Sequence, residues 1–209
     1  EGNKQDAKHV DGAESGMILN TVTNTLYDGK KGIEVLPVFY KRQYIEWQER
    51  GEGKGAPLNI YNAGDDIPKT TRDKSNKDRL ANGNYLENTA NHFVVILGNT
   101  PSTALISMKA TQFKKSKQWN SALKSLKMKD GKGILFTPAR FAHIWLLKST
   151  PEENKNGSWH GWEISKDSQI EDLNLYQEAK LFAESINAGQ VKVQHTREED
   201  LTDTDNVPF

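Results

Sequence analysis

Aromatic and cationic side chains alternate along residues 39 to 47 of this 209-residue chain. In a β-strand, successive side chains point to opposite faces of the sheet. The alternation therefore places Tyr40, Arg42 and Tyr44 on one face, and Phe39, Ile45 and Trp47 on the other. If the Phe39 face is the core, the strand presents a Tyr-Arg-Tyr surface to solvent.

A second stretch repeats this division after a turn at residues 98 to 102. Alternation predicts that one face carries Ala104, Ile106, Met108 and Ala110, and the other Lys109, Thr111, Phe113 and Lys115. Rings stack on bases at about 1–3 kcal/mol each, and cations follow the phosphates. A sheet face that interleaves rings with cations therefore suits single-stranded nucleic acid. We find no element shaped for a duplex groove.

The charge distribution agrees with this interpretation, although the formal net charge is zero. Residues 101–150 hold ten basic side chains and one acid, a formal charge of +9, whereas residues 163–209 hold eleven acids and four basic side chains, a formal charge of −7. A basic body joined to an acidic end indicates a polyanionic partner. The predicted residues for binding single-stranded DNA are Tyr40, Arg42, Tyr44, Lys109, Phe113, Lys114, Lys115, Lys117, Trp119 and Arg140.

Catalytic and metal-binding patterns find little support. The five histidines are scattered singly, and His92 and His143 lie within apolar stretches typical of the core. The segment 51–55, Gly-Glu-Gly-Lys-Gly, lacks the spacing of a phosphate-binding loop. The chain has no cysteine, so thiolate metal sites and disulfides are excluded. We expect no enzymatic activity, no metal and no cofactor; a nuclease would need carboxylates clustered in space.

The elements that must position these residues are mostly strands. Strand patterns cover residues 17–27, 32–50 with a bend near Pro37, 58–61, 92–97, 103–109, 134–148 with a bend at Pro138, and 157–165. Residues 62 to 91 are polar and aperiodic, which predicts a long loop. Apolar residues at helical spacing predict a helix near residues 115–128 and another near 168–187, capped by Asp167 or Ser168. This order fits an OB-fold-like five-stranded Greek-key barrel with added strands and loops, and a β-sandwich nearly as well.

The chain divides into three predicted regions: a flexible arm at residues 1–16, one domain at 17–195, and a disordered tail at 196–209. No apolar run approaches the roughly 20 residues of a membrane span. The tail is too acidic and polar to fold alone, yet it ends in apolar side chains, as a docking peptide does. Its predicted partner-binding residues are Glu198, Glu199, Asp200, Asp203, Asp205, Val207, Pro208 and Phe209.

The sequence Asp205-Asn-Val-Pro-Phe209, after an acidic run, resembles the tip of bacterial single-stranded DNA-binding proteins and the Phe-ended tails of phage-encoded ones. Segments 35–47 and 107–119 are similar to proteins of tailed-phage genomes. The chain departs from the bacterial pattern in lacking a long Gly/Gln-rich linker and in having Asn206 where an acid is usual, and both departures favour the phage type.

The resemblance implies an OB-fold that coats single-stranded DNA during phage replication, recombination and repair in the cytoplasm of the infected host. It implies that the tail recruits a polymerase, helicase or nuclease, and it leaves homo-oligomerisation open. The alternative is a phage virion or structural protein whose basic face meets packaged DNA or a neighbouring protein.

Overall fold

The computed structural model of the chain describes residues 10–49, 55–155, 157–191, 193 and 195. All structural statements refer to these residues. The predicted acidic tail, 196–209, lies outside them, as do residues 1–9 of the predicted N-terminal arm.

The described residues are mostly β-structure, as the sequence predicts. The α-helices are α1 (Phe113–Ser125) and α2 (Leu173–Asn187), and single 3-10 turns at Ala110–Gln112 and Arg140–Ala142 precede α1 and the eleventh strand. The strands are β1 (Ile18–Asn20), β2 (Thr25–Tyr27), β3 (Ile33–Trp47), β4 (Asn59–Asn62), β5 (Thr71–Arg72), β6 (Asp78–Arg79), β7 (Tyr85–Ile96), β8 (Ser102–Met108), β9 (Met128–Lys129), β10 (Leu135–Phe136), β11 (His143–Asn154) and β12 (Gly157–Gln169).

The long strands form a Greek key. Strands β3, β7 and β8 form an antiparallel meander, and β11 returns after α1 to pair with the start of β3. This is the 4-1-2-3 arrangement of a Greek key. Strand β12 adds to β11, and the connectivity is that of an OB-like fold. Among the described residues no hydrogen bonds pair β8 with β12, so the sheet is a curled half-barrel, whereas the sequence predicts a barrel.

Strand β3 is long enough to pair with β11 at one end and with β4 at the other. Its register against β7 shifts between Pro37 and Phe39, which places the bulge where the sequence predicts a bend. Proline cannot donate a hydrogen bond to a neighbouring strand, so a bulge accommodates it. Beyond the bulge, Tyr40 faces the concave side of the sheet with Val35, and Phe39 faces the convex side with Leu36.

Both sides of the sheet are covered by a helix. On the concave side, Trp119 and Leu123 of α1 pack into a core with Ile33, Val35 and Leu147, among others. On the convex side, Ala179 and Ile186 of α2 pack into a second core that includes Leu36, Val38, Phe93 and Phe141. The half-barrel is therefore a sheet between two helices, and their charges differ. Helix α1 carries four lysines and no acid, whereas α2 carries two glutamates and one lysine.

Several predicted boundaries are wrong for identifiable reasons. The predicted loop 62–91 contains β5 and β6, and β7 already begins at Tyr85. The predicted strand 134–148 is interrupted after Phe136 and resumes at His143. Helix α2 begins at Leu173 because β12 continues to Gln169; its N-cap is Asp172, whose carboxylate accepts hydrogen bonds from the backbone N–H groups of Asn174 and Leu175.

Candidate nucleic-acid interface

Tyr40, Arg42 and Tyr44 share the concave face of β3, as strand alternation predicts. Their partners on β7 are His92, Ala90 and Asn88 respectively. All three predicted side chains are half-buried. The small Ala90 leaves room for the Arg42 side chain, whose Nε donates a 3.0 Å hydrogen bond to Oδ1 of Asn88. This bond fixes the guanidinium on the sheet.

Phe113 reaches the same place by a different route from the one the sequence predicts. Alternation assigns Phe113 and Lys115 to a strand, but β8 ends at Met108 and both residues lie on α1. The chain reverses at Ala110, which has φ of 47° in the left-handed region that favours glycine. The 3-10 turn then delivers Phe113, at the first position of α1, onto the concave face.

The result is a row in which rings and cations alternate. The guanidinium carbon of Arg42 lies 4.9 Å from the centre of the Tyr44 ring and 5.2 Å from that of Phe113. The ammonium of Lys117 lies 5.1 Å from the centre of the Phe113 ring. We call these four residues, Tyr44, Arg42, Phe113 and Lys117, the stacking row. It joins a strand to a helix through contacts that no local sequence pattern specifies.

Cations extend from the stacking row along α1. Lys114, Lys117 and Lys124 are all exposed. Because residues four and seven apart return to one side of a helix, Lys117 and Lys124 form a stripe with Phe113 at its start. At 1.5 Å per residue, the eleven steps from Phe113 to Lys124 give this stripe a length of about 16 Å.

Two of the predicted cations are engaged by carboxylates. Lys109 forms an ion pair with Glu87 at 3.3 Å, and Lys115 forms one with Glu152 at 3.0 Å. The Lys115 hydrogen bond is the main reason that the pKa of Glu152 is lowered. Gln112 also donates to Glu152 and accepts a hydrogen bond from the backbone N–H of Trp162. Lys115 thus ties α1 to the β11–β12 hairpin, and we assign neither Lys109 nor Lys115 a main role in binding a ligand.

Arg140 lies beside the predicted aromatic face but is largely buried. Its guanidinium carbon is 5.9 Å from the centre of the Tyr40 ring, and its Nε and Nη2 have no hydrogen-bond partner among the described residues. Burial lowers the pKa of Arg140 to about 10, so the side chain remains charged at neutral pH. Burial, and then the charge of Arg140, lower the pKa of His92 to about 3, so the imidazole remains neutral.

Trp119 lies in the core and not on the surface. Its side chain is 2% exposed, and its ring stacks on His92 with centres 4.6 Å apart. A 2.7 Å hydrogen bond between Nε2 of His92 and Oγ of Ser116 fastens α1 to β7. Trp119 therefore supports the interface from beneath and cannot stack on a base. His92 and His143 are buried, as the sequence predicts.

The structure adds two residues that sequence reasoning missed. Tyr61 on β4 pairs directly with Tyr44, so the two tyrosines are neighbours on the same face. Asn88 orients Arg42. The pattern of β4 as a short strand is visible in the sequence, but its pairing with β3 is long-range and gives no local signal.

A buried carboxylate marks one end of the interface. Glu46 is 4% exposed and accepts side-chain hydrogen bonds from Asn59, Tyr61, Asn82 and Asn84. Burial alone would raise the pKa of Glu46, but these hydrogen bonds outweigh burial and lower the pKa. The fixed negative charge at this end contrasts with the cations at the α1 end of the surface.

The described chain ends on the opposite side of the sheet. His195 lies within 3.1 Å of Oε1 of Gln43, which alternates with Arg42 and Tyr44 and therefore faces the convex side. The predicted tail residues Glu198, Glu199, Asp200, Asp203, Asp205, Val207, Pro208 and Phe209 lie outside the described residues. None of the described helices is long and apolar enough to cross a membrane.

Comparison with known proteins identifies one family. No curated protein and no solved structure matches the chain. The family model described as Pam3 phage gp34-like protein matches residues 1–192, nearly all of the part of the chain that the structure describes. The chain therefore belongs to the Pam3 phage gp34-like family and is a phage protein.

Proposed function

We propose that this phage protein binds single-stranded DNA with little sequence preference, coating it during replication, recombination or repair in the cytoplasm of the infected host. The observation that carries the proposal is the stacking row. It offers rings for bases of any identity and cations for phosphates, on a fixed surface about one helix long.

Energy differences favour a base over the existing cation at Phe113. An exposed cation–π interaction is worth about 0.5–1 kcal/mol, whereas a base stacked on a ring contributes about 1–3 kcal/mol. Lys117 is exposed and flexible, so a base can displace its ammonium from the Phe113 ring. The released ammonium then reaches a neighbouring phosphate, and this new ion pair compensates for its departure from the ring.

Arg42 and Tyr44 provide a second position at which a base can stack. A guanidinium plane held by Asn88 is preorganised for stacking, because its orientation is fixed before the ligand arrives. Tyr61 widens the aromatic surface next to Tyr44. The proposed path of the strand thus follows β4, β3 and α1 in succession. The negative charge of Glu46 repels phosphates and so keeps the rest of the strand on the α1 side.

The acidic tail is proposed to recruit replication proteins, such as a polymerase, a helicase or a nuclease. Its five acids mimic a short polyanion, and Val207 and Phe209 supply apolar surface. Deleting residues 198–209 should strengthen DNA binding, because a competing polyanion is removed, and should abolish recruitment. Unchanged DNA affinity in a titration would contradict the competition.

Two phenylalanine variants test the proposed site. Phe113→Ala should weaken binding to a fluorescein-labelled dT oligonucleotide, short enough for one copy of the protein, by about five- to 150-fold, the range that one stacked base supplies. Phe136→Ala removes an exposed ring outside the proposed path and should leave the affinity within about twofold. The readout is fluorescence anisotropy, because the tryptophans are buried or half-buried and we expect little quenching of their fluorescence.

The two variants also separate loss of the site from loss of the fold. Circular dichroism and thermal unfolding should show a folded protein in both cases, since Phe113 is only half-buried. Equal affinities of Phe113→Ala and the unmodified protein, with both folded, would refute the proposal.

A further inference from the structure

A small hairpin after α1 projects large apolar side chains into solvent. Ile134, Leu135 and Phe136 are 61%, 63% and 43% exposed. They lie on or beside β10, which pairs with β9 so that Leu135 is opposite Lys129. Lys127, Lys129 and Lys132 are also exposed, and Lys127 donates to Thr137. We call residues 127–137 the basic hairpin.

The tip of the basic hairpin is held in one conformation. A carboxylate oxygen of Asp130 accepts hydrogen bonds of 2.8 Å from the backbone N–H groups of both Lys132 and Ile134. The backbone N–H of Asp130 donates to the carbonyl oxygen of Ile134, and Gly133 takes a positive φ of 81° to close the turn. An isolated two-stranded hairpin is marginally stable, so this ordered turn keeps the apolar side chains in a fixed arrangement. Exposed apolar groups of this kind mark interaction surfaces.

A complementary surface lies on the outer side of α2. Leu173 and Leu181 are 77% and 63% exposed, and their separation of eight residues places them on one side of the helix, about 12 Å apart. Glu178 and Glu184 are exposed beside them. We call these four residues the acidic helix face. The face directed towards the sheet, by contrast, is formed by residues such as Ala179 and Ile186. Glu184 lies 4.0 Å from the ammonium of Lys180 in an exposed ion pair, which is weak enough for a lysine of a partner to replace.

We propose that the basic hairpin of one copy of this protein docks on the acidic helix face of a second copy. The two surfaces match in both respects that a contact requires: leucines against aliphatic and aromatic side chains, and lysines against glutamates. Neither surface is covered by the other within one chain, since Leu135 and Leu181 are each 63% exposed.

A nucleic-acid strand fits the basic hairpin less well than a second copy does. Of the three apolar side chains only Phe136 has a ring to stack on a base, and it is the least exposed of them. Ile134 and Leu135 are aliphatic, and at this exposure they gain most from apolar partners. The acidic helix face would repel a phosphate backbone but supplies both apolar and acidic partners to the hairpin. The contact joins two different surfaces, so copies that bind head to tail can adjoin along a strand.

The contact is small, and we expect it to be weak. Because few large side chains contribute to it, we expect it to bury less than a standard interface, which buries roughly 1,200–2,000 Å². We therefore expect a dissociation constant on the order of tens to hundreds of micromolar. Sedimentation velocity of the full chain without DNA, between about 10 and 500 µM, covers this range. A protein that stays monomeric throughout would overturn the proposal.

Charge reversal on each surface tests the pairing directly. The hairpin variant Lys129→Glu/Lys132→Glu and the helix variant Glu178→Lys/Glu184→Lys should each self-associate at least about tenfold more weakly, because like charges then meet. Mixing the two variants should restore association, since each now meets an opposite charge. A mixture that remains monomeric would overturn the proposal.

An apolar substitution supplies an independent test. Leu135→Ser leaves every charge in place and should weaken self-association of the protein. Val22→Ser, at a site 90% exposed on a different turn, should not weaken it. Leu135→Ser and Val22→Ser, which leave the charge unchanged, are also titrated with an oligonucleotide short enough for one copy. Affinity for this oligonucleotide should stay within about twofold. If instead Leu135→Ser loses as much affinity as Phe113→Ala, the hairpin contacts DNA and the proposal fails.

Discussion

The salt dependence of the proposed DNA binding can be worked out from the cations of the candidate interface. Four of them lie on the proposed path without a carboxylate partner among the described residues: Arg42, Lys114, Lys117 and Lys124. Each cation that neutralises a phosphate of a single strand contributes about −0.7 to the slope of log K against log salt concentration. The unmodified protein should therefore give a slope of about −2.8.

Lys117→Gln removes one of these cations. The slope should become less steep, about −2.1. Raising the salt concentration from about 50 to 200 mM then weakens binding about 20-fold instead of about 50-fold. Lys180→Gln is the matched control, because Lys180 lies on α2, on the other side of the sheet, and is exposed as the interface lysines are. It should leave the slope unchanged.

The assay is fluorescence anisotropy of a labelled dT oligonucleotide at four or five salt concentrations, with the protein shown to be monomeric at the concentrations used. A slope near zero would show that phosphates do not contribute. Equal slopes for Lys117→Gln and the unmodified protein, or a change with Lys180→Gln instead, would refute the assignment of the interface to the α1 side.

Three further predictions concern the scaffold and are measured as free energies of unfolding in urea. Glu46→Gln should lower stability by about 1–3 kcal/mol, because a neutral amide cannot accept hydrogen bonds from all of the donors that surround this carboxylate. The control Glu34→Gln, at an exposed site, should change stability by less than about 0.5 kcal/mol. Equal effects of the two substitutions would contradict the role of Glu46. Ala110→Gly should raise stability by about 1 kcal/mol, because glycine adopts the left-handed φ of this position without the steric cost that alanine has. The control Ala122→Gly, in the middle of α1, should lower stability by about 1 kcal/mol. A loss of stability at both positions would show that Ala110 is unstrained. The folded pKa of His92, about 3, is below the unfolded value of about 6.5, so His92 stabilises fully above pH 6.5 and stability falls as the pH drops towards 3. His92→Gln should reduce that fall by up to about 1.4 kcal/mol per pH unit, and an unchanged pH profile would exclude a buried neutral imidazole.

Local patterns predict the parts of the site that one strand determines. Alternation places Tyr40, Arg42 and Tyr44 on one face, since the bulge at Pro37 lies before them and leaves their periodicity intact. The same rule fails at Phe113 because β8 stops at Met108 and Ala110 turns the chain into a helix. The residue types do not predict that turn, because alanine seldom adopts a positive φ.

Long-range pairings account for most of what local patterns do not predict. The contact between Tyr44 and Tyr61 depends on the pairing of β3 with β4. The order of segment 58–84 depends on amide groups from β4 (Asn59) and from one turn (Asn82 and Asn84) that meet at Glu46. A local sequence rich in asparagine is typical of any polar loop, so it does not predict that these side chains meet at one buried carboxylate. The Greek-key connectivity, in contrast, follows from the order of strands and helix, which the sequence does predict.

Binding of single-stranded DNA by the stacking row is tested most directly by one titration. The full chain is titrated into a labelled dT oligonucleotide and, separately, into a duplex of the same length, at about 100 mM salt. We predict that the single strand binds at least about tenfold more tightly, because only unpaired bases can stack on Phe113 and Tyr44. Equal affinity for both, or preference for the duplex, would contradict the proposed role of the stacking row.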